Sequence, residues 1–296
     1  MHKYLRAIGF SNIKNNREMH DIVMEILTNA TSRSYTTKEN DTALAQFSKD
    51  FSDSFGIAVC GEYDNEDHFA YEYYYPYFIG SGVTTEEDIT IEMHADRESY
   101  AGVCDDPRVG VTLVFYLQNM IPYVRIKNNH LLPIRGTTMT MSALSTNGTI
   151  LLALEKNQED VDRVNKDTKD RSRLVAKARR GDEDAIETLT LKDMDTYNLL
   201  SRKIINVDLL TLVDTYFMPY GVECDQYSVL GEIASVRSEK NSYTGEEIYI
   251  LGLNCNDLTF DVCINKIDLY GEPKVGRRFK GIIWLQGRIN FPEETK

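Results

Sequence analysis

Between Phe69 and Tyr77 the chain reads Phe-Ala-Tyr-Glu-Tyr-Tyr-Tyr-Pro-Tyr. In an extended strand, side chains two residues apart share a face, so Tyr71, Tyr73, Tyr75 and Tyr77 line up with Phe69. Such a platform can stack bases or sugars. Aromatic faces are mostly buried, however, so the rings read first as core with hydroxyls reaching its rim. Pro76 marks a strand edge or end, where a ligand or partner can approach.

A second group is Glu92-Met-His-Ala-Asp96. On a strand, Glu92, His94 and Asp96 project to one side. With His68 from the preceding segment they form a candidate set for a hard or borderline metal, and a metal-assisted hydrolase is the alternative function that follows. Such residues also populate exposed faces freely, and solvated surface is the preferred reading.

Cations make the third group. Arg163 to Arg180 contains eight Lys or Arg and two Asp. Acids at 155, 159, 160 and 162 precede it, an order that suits a helix dipole as well as it suits a phosphate. Lys274, Arg277, Arg278 and Lys280 form a smaller cluster beside the last strand run, where they can face a small anionic ligand.

Catalytic signatures do not add to these groups. The sequence has no G-x-S-x-G elbow, no Walker A loop, no dinucleotide fingerprint and no H-E-x-x-H. No cofactor is implied. The five cysteines, at 60, 104, 224, 255 and 263, form no C-x-x-C pair. No signal peptide is read at the N-terminus, so the thiols are expected to be reduced and a cytoplasmic setting follows. Val111 to Leu117 is the longest strongly apolar run and is too short to span a bilayer.

Net charge is −13, distributed as −8 over residues 1–154, −2 over 155–214 and −3 over 215–296. Duplex DNA is bound largely by cations that displace counterions, so this balance argues against it as a partner. An unidentified protein or a small anion remains as the partner class, and the oligomeric state is left open.

The elements that must position these residues fall into three stretches, giving an α+β fold. Residues 1–155 read as an α+β domain with a largely antiparallel sheet. Arg17 to Leu27 has helical spacing. Thr28 to Glu39 reads as a loop and Ala43 to Phe55 as a second helix. Strand runs follow at 56–63, 68–78, 89–95, 109–117, 123–126, 137–144 and 150–154. Residues 156–218 read as a helical connector. One helix ends at Gly181, Asp182 caps a short one to Leu189, and Thr190 and Asn206 open two more. Residues 219–296 read as a small C-terminal β-barrel, OB-like, with strands between Tyr227 and Phe291 and Trp284 buried in the core run Ile282 to Ile289.

Met1 to Ser11, Gly181 to Glu187 and Phe217 to Asp225 resemble an uncharacterised clostridial (Firmicute) protein family, and the resemblance runs the whole length. It implies a cytosolic bacterial protein and brings no catalytic residues with it. A non-catalytic binding or interaction protein is therefore the expected class.

Overall fold

The computed structural model describes residues 2–292 except 14, 38–42, 65, 67, 94–98, 133–135, 154–169, 171–172, 179–180 and 205–212. It is sheet-rich with few helices, 49% strand against 21% helix. The α+β class therefore holds in its coarser form, with strands dominant. Among the described residues no helix is long and apolar enough to cross a membrane.

After a 3-10 helix (Lys3–Ile8) comes α1 (Asn16–Thr28). The Asn15 side chain caps α1, accepting from the backbone N–H groups of Arg17 and Glu18 at 3.0 and 2.9 Å. Its buried stripe of Met19, Ile22, Val23 and Ile26 keeps the expected helical period.

A four-stranded antiparallel sheet follows: β1 (Ser32–Thr37), β2 (Ala43–Asp50), β3 (Phe55–Tyr63) and β4 (Phe69–Phe78), in that spatial order. Two expectations are corrected here. The stretch read as a loop contains β1, and the stretch read as a second helix is β2. Leu44, Phe47 and Phe51 imitate a helical period because β2 is covered on both faces, so its burial does not alternate. α1 packs against β2 and β3, while α2 (Met120–Asn128) packs against β1 and β2. The run 123–126, read as a strand, lies in α2. Pro122 fits the first turn of that helix, where no N–H partner is needed, and Arg125 and Lys127 sit in its last turn.

The remaining strands are β5 (Ile89–Met93), β6 (Tyr100–Asp105), β7 (Thr112–Leu117), β8 (Thr138–Leu151), β9 (Tyr216–Pro219), β10 (Gln226–Lys240), β11 (Glu247–Cys255), β12 (Leu258–Asn265), β13 (Leu269–Tyr270) and β14 (Arg278–Asn290). They form one ten-stranded sheet. Within it the pairing closes on itself. β8 runs antiparallel to β14, β14 to β10, β10 to β11 and β11 to β12, and β12 returns to β8 in parallel. β7 joins β14 in parallel at Tyr116 and Leu117 and carries β6 and β5 outward.

This five-strand ring needs β8, from before residue 155, so the sheet crosses the boundary expected there. Trp284 is 5% exposed. It stacks on Tyr4 with ring centroids 5.3 Å apart, and its indole N–H donates to Asp225 at 2.6 Å.

Between β8 and β9, Gly181 (φ +83°) ends a helical stretch and the Asp182 carboxylate caps the next helix, accepting from the Ala185 N–H at 3.0 Å. That helix, α3 (Glu183–Ile204), runs unbroken through Thr190. The Thr190 hydroxyl bonds back to the Ile186 carbonyl at 2.8 Å instead of capping a new helix. Phe217 and Met218, expected at a helix end, lie in β9. Most of the basic run Arg163 to Arg180, and the start expected at Asn206, lie outside the described residues.

Candidate functional site

The strand register of the four-stranded sheet assembles the site. Ser34 lies opposite Gln46, Gln46 opposite Cys60, and Cys60 opposite Tyr73. The next row is Ser32, Ser48, Ala58 and Tyr75, and the last is Asp50, Gly56 and Tyr77. Directly opposed residues share a face. One face of the sheet therefore carries polar groups on β1 and β2, small residues on β3 and tyrosines on β4.

Gly56 is part of this construction. A Cβ at that position would lie 2.6 Å from Tyr77 Cζ and would also meet the Lys49 carbonyl. Its absence lets the Tyr77 ring cross β3, and the Tyr77 hydroxyl donates to Asp50 on β2. The Tyr75 hydroxyl donates to the Gln118 carbonyl at 3.1 Å.

α2 covers the Leu44 end of this face. Beyond it lies an open cavity of about 290 Å³ lined by Ser32, Ser34, Gln46, Ser48, Asp50, Tyr75 and Tyr77 from the sheet. Ile79, Ile121 and Pro122 give it an apolar wall, and Gln118, Asn119 and Arg288 close the side toward the ring.

Arg288 is held by its neighbours along β14. The Gly287 carbonyl accepts the Gln118 N–H at 2.9 Å. The Asn119 side chain continues the ladder, donating to the Ile289 carbonyl at 2.8 Å and accepting the Ile289 N–H at 3.0 Å. Behind it lies a buried amide network. The Gln118 amide donates to the Phe78 carbonyl at 2.7 Å and to Gln286 Oε1 at 2.8 Å. The Gln286 amide donates to the Pro76 carbonyl at 2.8 Å, and its Oε1 accepts the Phe78 N–H at 3.1 Å. The two sheets are thus joined at the cavity's edge by hydrogen-bonded side chains.

Arg288 is an exposed residue that lines the cavity, and its guanidinium makes no hydrogen bond or ion pair among the described residues. Burial pushes the Tyr73, Tyr75 and Tyr77 phenols well above the ordinary tyrosine range, and for Tyr77 the bond to Asp50 adds to this. Burial pushes the Cys60 thiol up to about 12. These groups stay neutral at physiological pH. They can orient a ligand by hydrogen bonds, and none is poised as a base or nucleophile.

Of the aromatic platform, Tyr75 and Tyr77 line the cavity and are otherwise buried. Tyr73 is buried, with its hydroxyl 3.5 Å from Met120 Sδ. Tyr71 is 42% exposed. A register shift between Cys60 and Gly61 leaves Glu72 unpaired and puts Tyr71 on the other face, so the two-residue period breaks there.

His68 is exposed in the β3–β4 turn, 3.5 Å from Asp64 and 3.7 Å from Glu66. Glu92 is exposed on β5 in the other sheet. His94 and Asp96 lie outside the described residues. Among the described residues no three His, Cys, Asp or Glu group to hold a metal.

Three of the four cations at 274–280 are engaged individually. Lys274 pairs with Glu272 at 2.8 Å, and Arg277 donates to the Glu272 carbonyl at 2.7 Å. Arg278 is buried and donates to the Leu152 and Val213 carbonyls at 3.2 and 2.9 Å. Lys280 is half-buried on the same strand.

Sequence reasoning did not single out Ser32, Ser34, Gln46, Ser48, Asp50 or Arg288. A signal exists: Ser32-x-Ser34-x-Thr36 and Gln46-x-Ser48-x-Asp50 each alternate with period two. Reading 28–39 as a loop and 43–55 as a helix hid it.

A family model described as "Domain of unknown function, E. rectale Gene description (DUF3881)" matches residues 5–287, in agreement with the clostridial resemblance. No curated protein and no solved structure matches the chain.

Proposed function

We propose that this chain, which belongs to that family of unknown function, is a binding protein that holds a small molecule by its anionic carboxylate group in the Arg288 cavity. The observation that carries this reading is a cation without a hydrogen-bond or ion-pair partner among the described residues, lining a cavity whose other walls are hydroxyls, amides, the Asp50 carboxylate and the apolar Ile79, Ile121 and Pro122. A guanidinium presents a planar fork of donors that matches a carboxylate. Lys274 and Arg278, by contrast, are already engaged. The neutral phenols and thiol around the cavity support recognition over chemistry.

In this reading the five-strand ring is an OB-like barrel serving as a rigid frame, with the ligand site at its junction with the four-stranded sheet. A three-strand antiparallel meander closed by one parallel pairing favours that description. The acidic balance of the chain, −13, goes with a partner that is a small molecule and not duplex DNA.

The test is a thermal-shift and calorimetric panel of small carboxylates, with and without an amino group, at millimolar concentration. At least one should raise Tm and give saturable heat in the wild type, and Arg288→Gln should abolish both effects. Identical responses from wild type and Arg288→Gln would refute the reading.

A further inference from the structure

We infer that the ligand of the Arg288 cavity is a small amino acid bound as its zwitterion, the carboxylate at Arg288 and the ammonium at Asp50; this rests on the reading of that cavity as an anion site. The cavity is lined by one cation and one anion, and neither is neutralised by an ion pair among the described residues. Tyr77 donates its hydroxyl to Asp50 Oδ1, which orients the carboxylate, and no hydrogen bond to Oδ2 is found among the described residues.

A lone guanidinium would accept monoanions and dianions alike. A carboxylate in the same cavity opposes additional negative charge and favours a positive group on the ligand. The volume, about 290 Å³, lies at the lower end for ligand pockets and suits a small ligand. Ser34 and Ser48 supply hydroxyls on the sheet side, and Ile79 and Ile121 form an apolar wall suited to a short aliphatic side chain. An amino acid presents these three features, an anion, a cation and a small apolar group, on adjacent atoms.

Calorimetric titration of L-alanine, propionate and ethylamine separates the possibilities. With the wild type, L-alanine should bind about tenfold or more tighter than propionate, the expected scale for one added charge-assisted hydrogen bond. Ethylamine should bind more weakly than L-alanine. Asp50→Asn should remove the advantage of L-alanine and leave propionate binding unchanged or stronger. Propionate binding as tightly as L-alanine, or an L-alanine preference that survives Asp50→Asn, would overturn the zwitterion while the anion site stands. Binding of neither carboxylate would overturn both. The wild-type comparison does not depend on any variant folding.

Discussion

Phe279 and Tyr77 are both rings laid across glycine, and they serve opposite ends. Phe279 is fully buried in the ring, where Cβ atoms on Gly148 or Gly281 would collide with it. Its neighbours in the ring, among them Ile264, Ile283 and Leu285, are also fully buried. Tyr77 crosses Gly56 in the four-stranded sheet and delivers a hydroxyl to Asp50 at a cavity. The same backbone device fills space in one region and leaves a shaped, polar space in the other. A ring closed through both its edges must fill its interior to be stable. A sheet face covered by a short helix over half its width need not be filled.

The largest effect that separates the regions is expected in the ring. Phe279→Ala should lower unfolding free energy by about 3–5 kcal/mol in a urea titration, because the surrounding strands cannot collapse into the void. A loss below about 1 kcal/mol would mean that the ring is not packed as described. Gln286→Leu should cost about 2–3 kcal/mol by the same measurement, since it leaves the buried Phe78 N–H and Pro76 carbonyl without their partner. A neutral result would show that the amide network does not join the sheets.

Gly56→Ala should cost about 1–3 kcal/mol through overpacking, and it should also weaken L-alanine binding by moving Tyr77 off Asp50, the proposed ammonium site. Unaltered binding in a destabilised variant would detach the Tyr77–Asp50 pair from the site. The smallest stability effect belongs to the proposed ligand group. Arg288→Gln should change stability by no more than about 0.5 kcal/mol, as expected for an exposed residue outside any network.

The C-terminal strands were legible because each run is dense in β-branched and aromatic residues and is bounded by turn chemistry. Asn256 and Asp257, with φ +54° and +64°, make the two-residue turn between β11 and β12, residue types that tolerate this conformation. Trp284 was legible for the same reason. The ring was not, because β8 pairs with strands more than a hundred residues away, and register over such distances is set by tertiary packing.

The cavity was only half legible. The tyrosines announced themselves, but a bulge at Glu72 broke their period, and β2 carried apolar residues at helical spacing because both its faces are covered. Arg288 sits in a run that reads as a core strand. Its place at the cavity beside the Asn119 clamp, on which the proposed ligand role rests, is a fact of folding.

Backbone amide chemical-shift mapping of the isotope-labelled protein during an L-alanine titration tests the central claim most directly. The account predicts saturable shifts concentrated at Ser32 to Ser34, Gln46 to Asp50 and Gly287 to Ile289, all absent in Arg288→Gln. Shifts centred on the Lys274 to Lys280 segment, or none at the Arg288 cavity while the protein saturates with ligand, would contradict it.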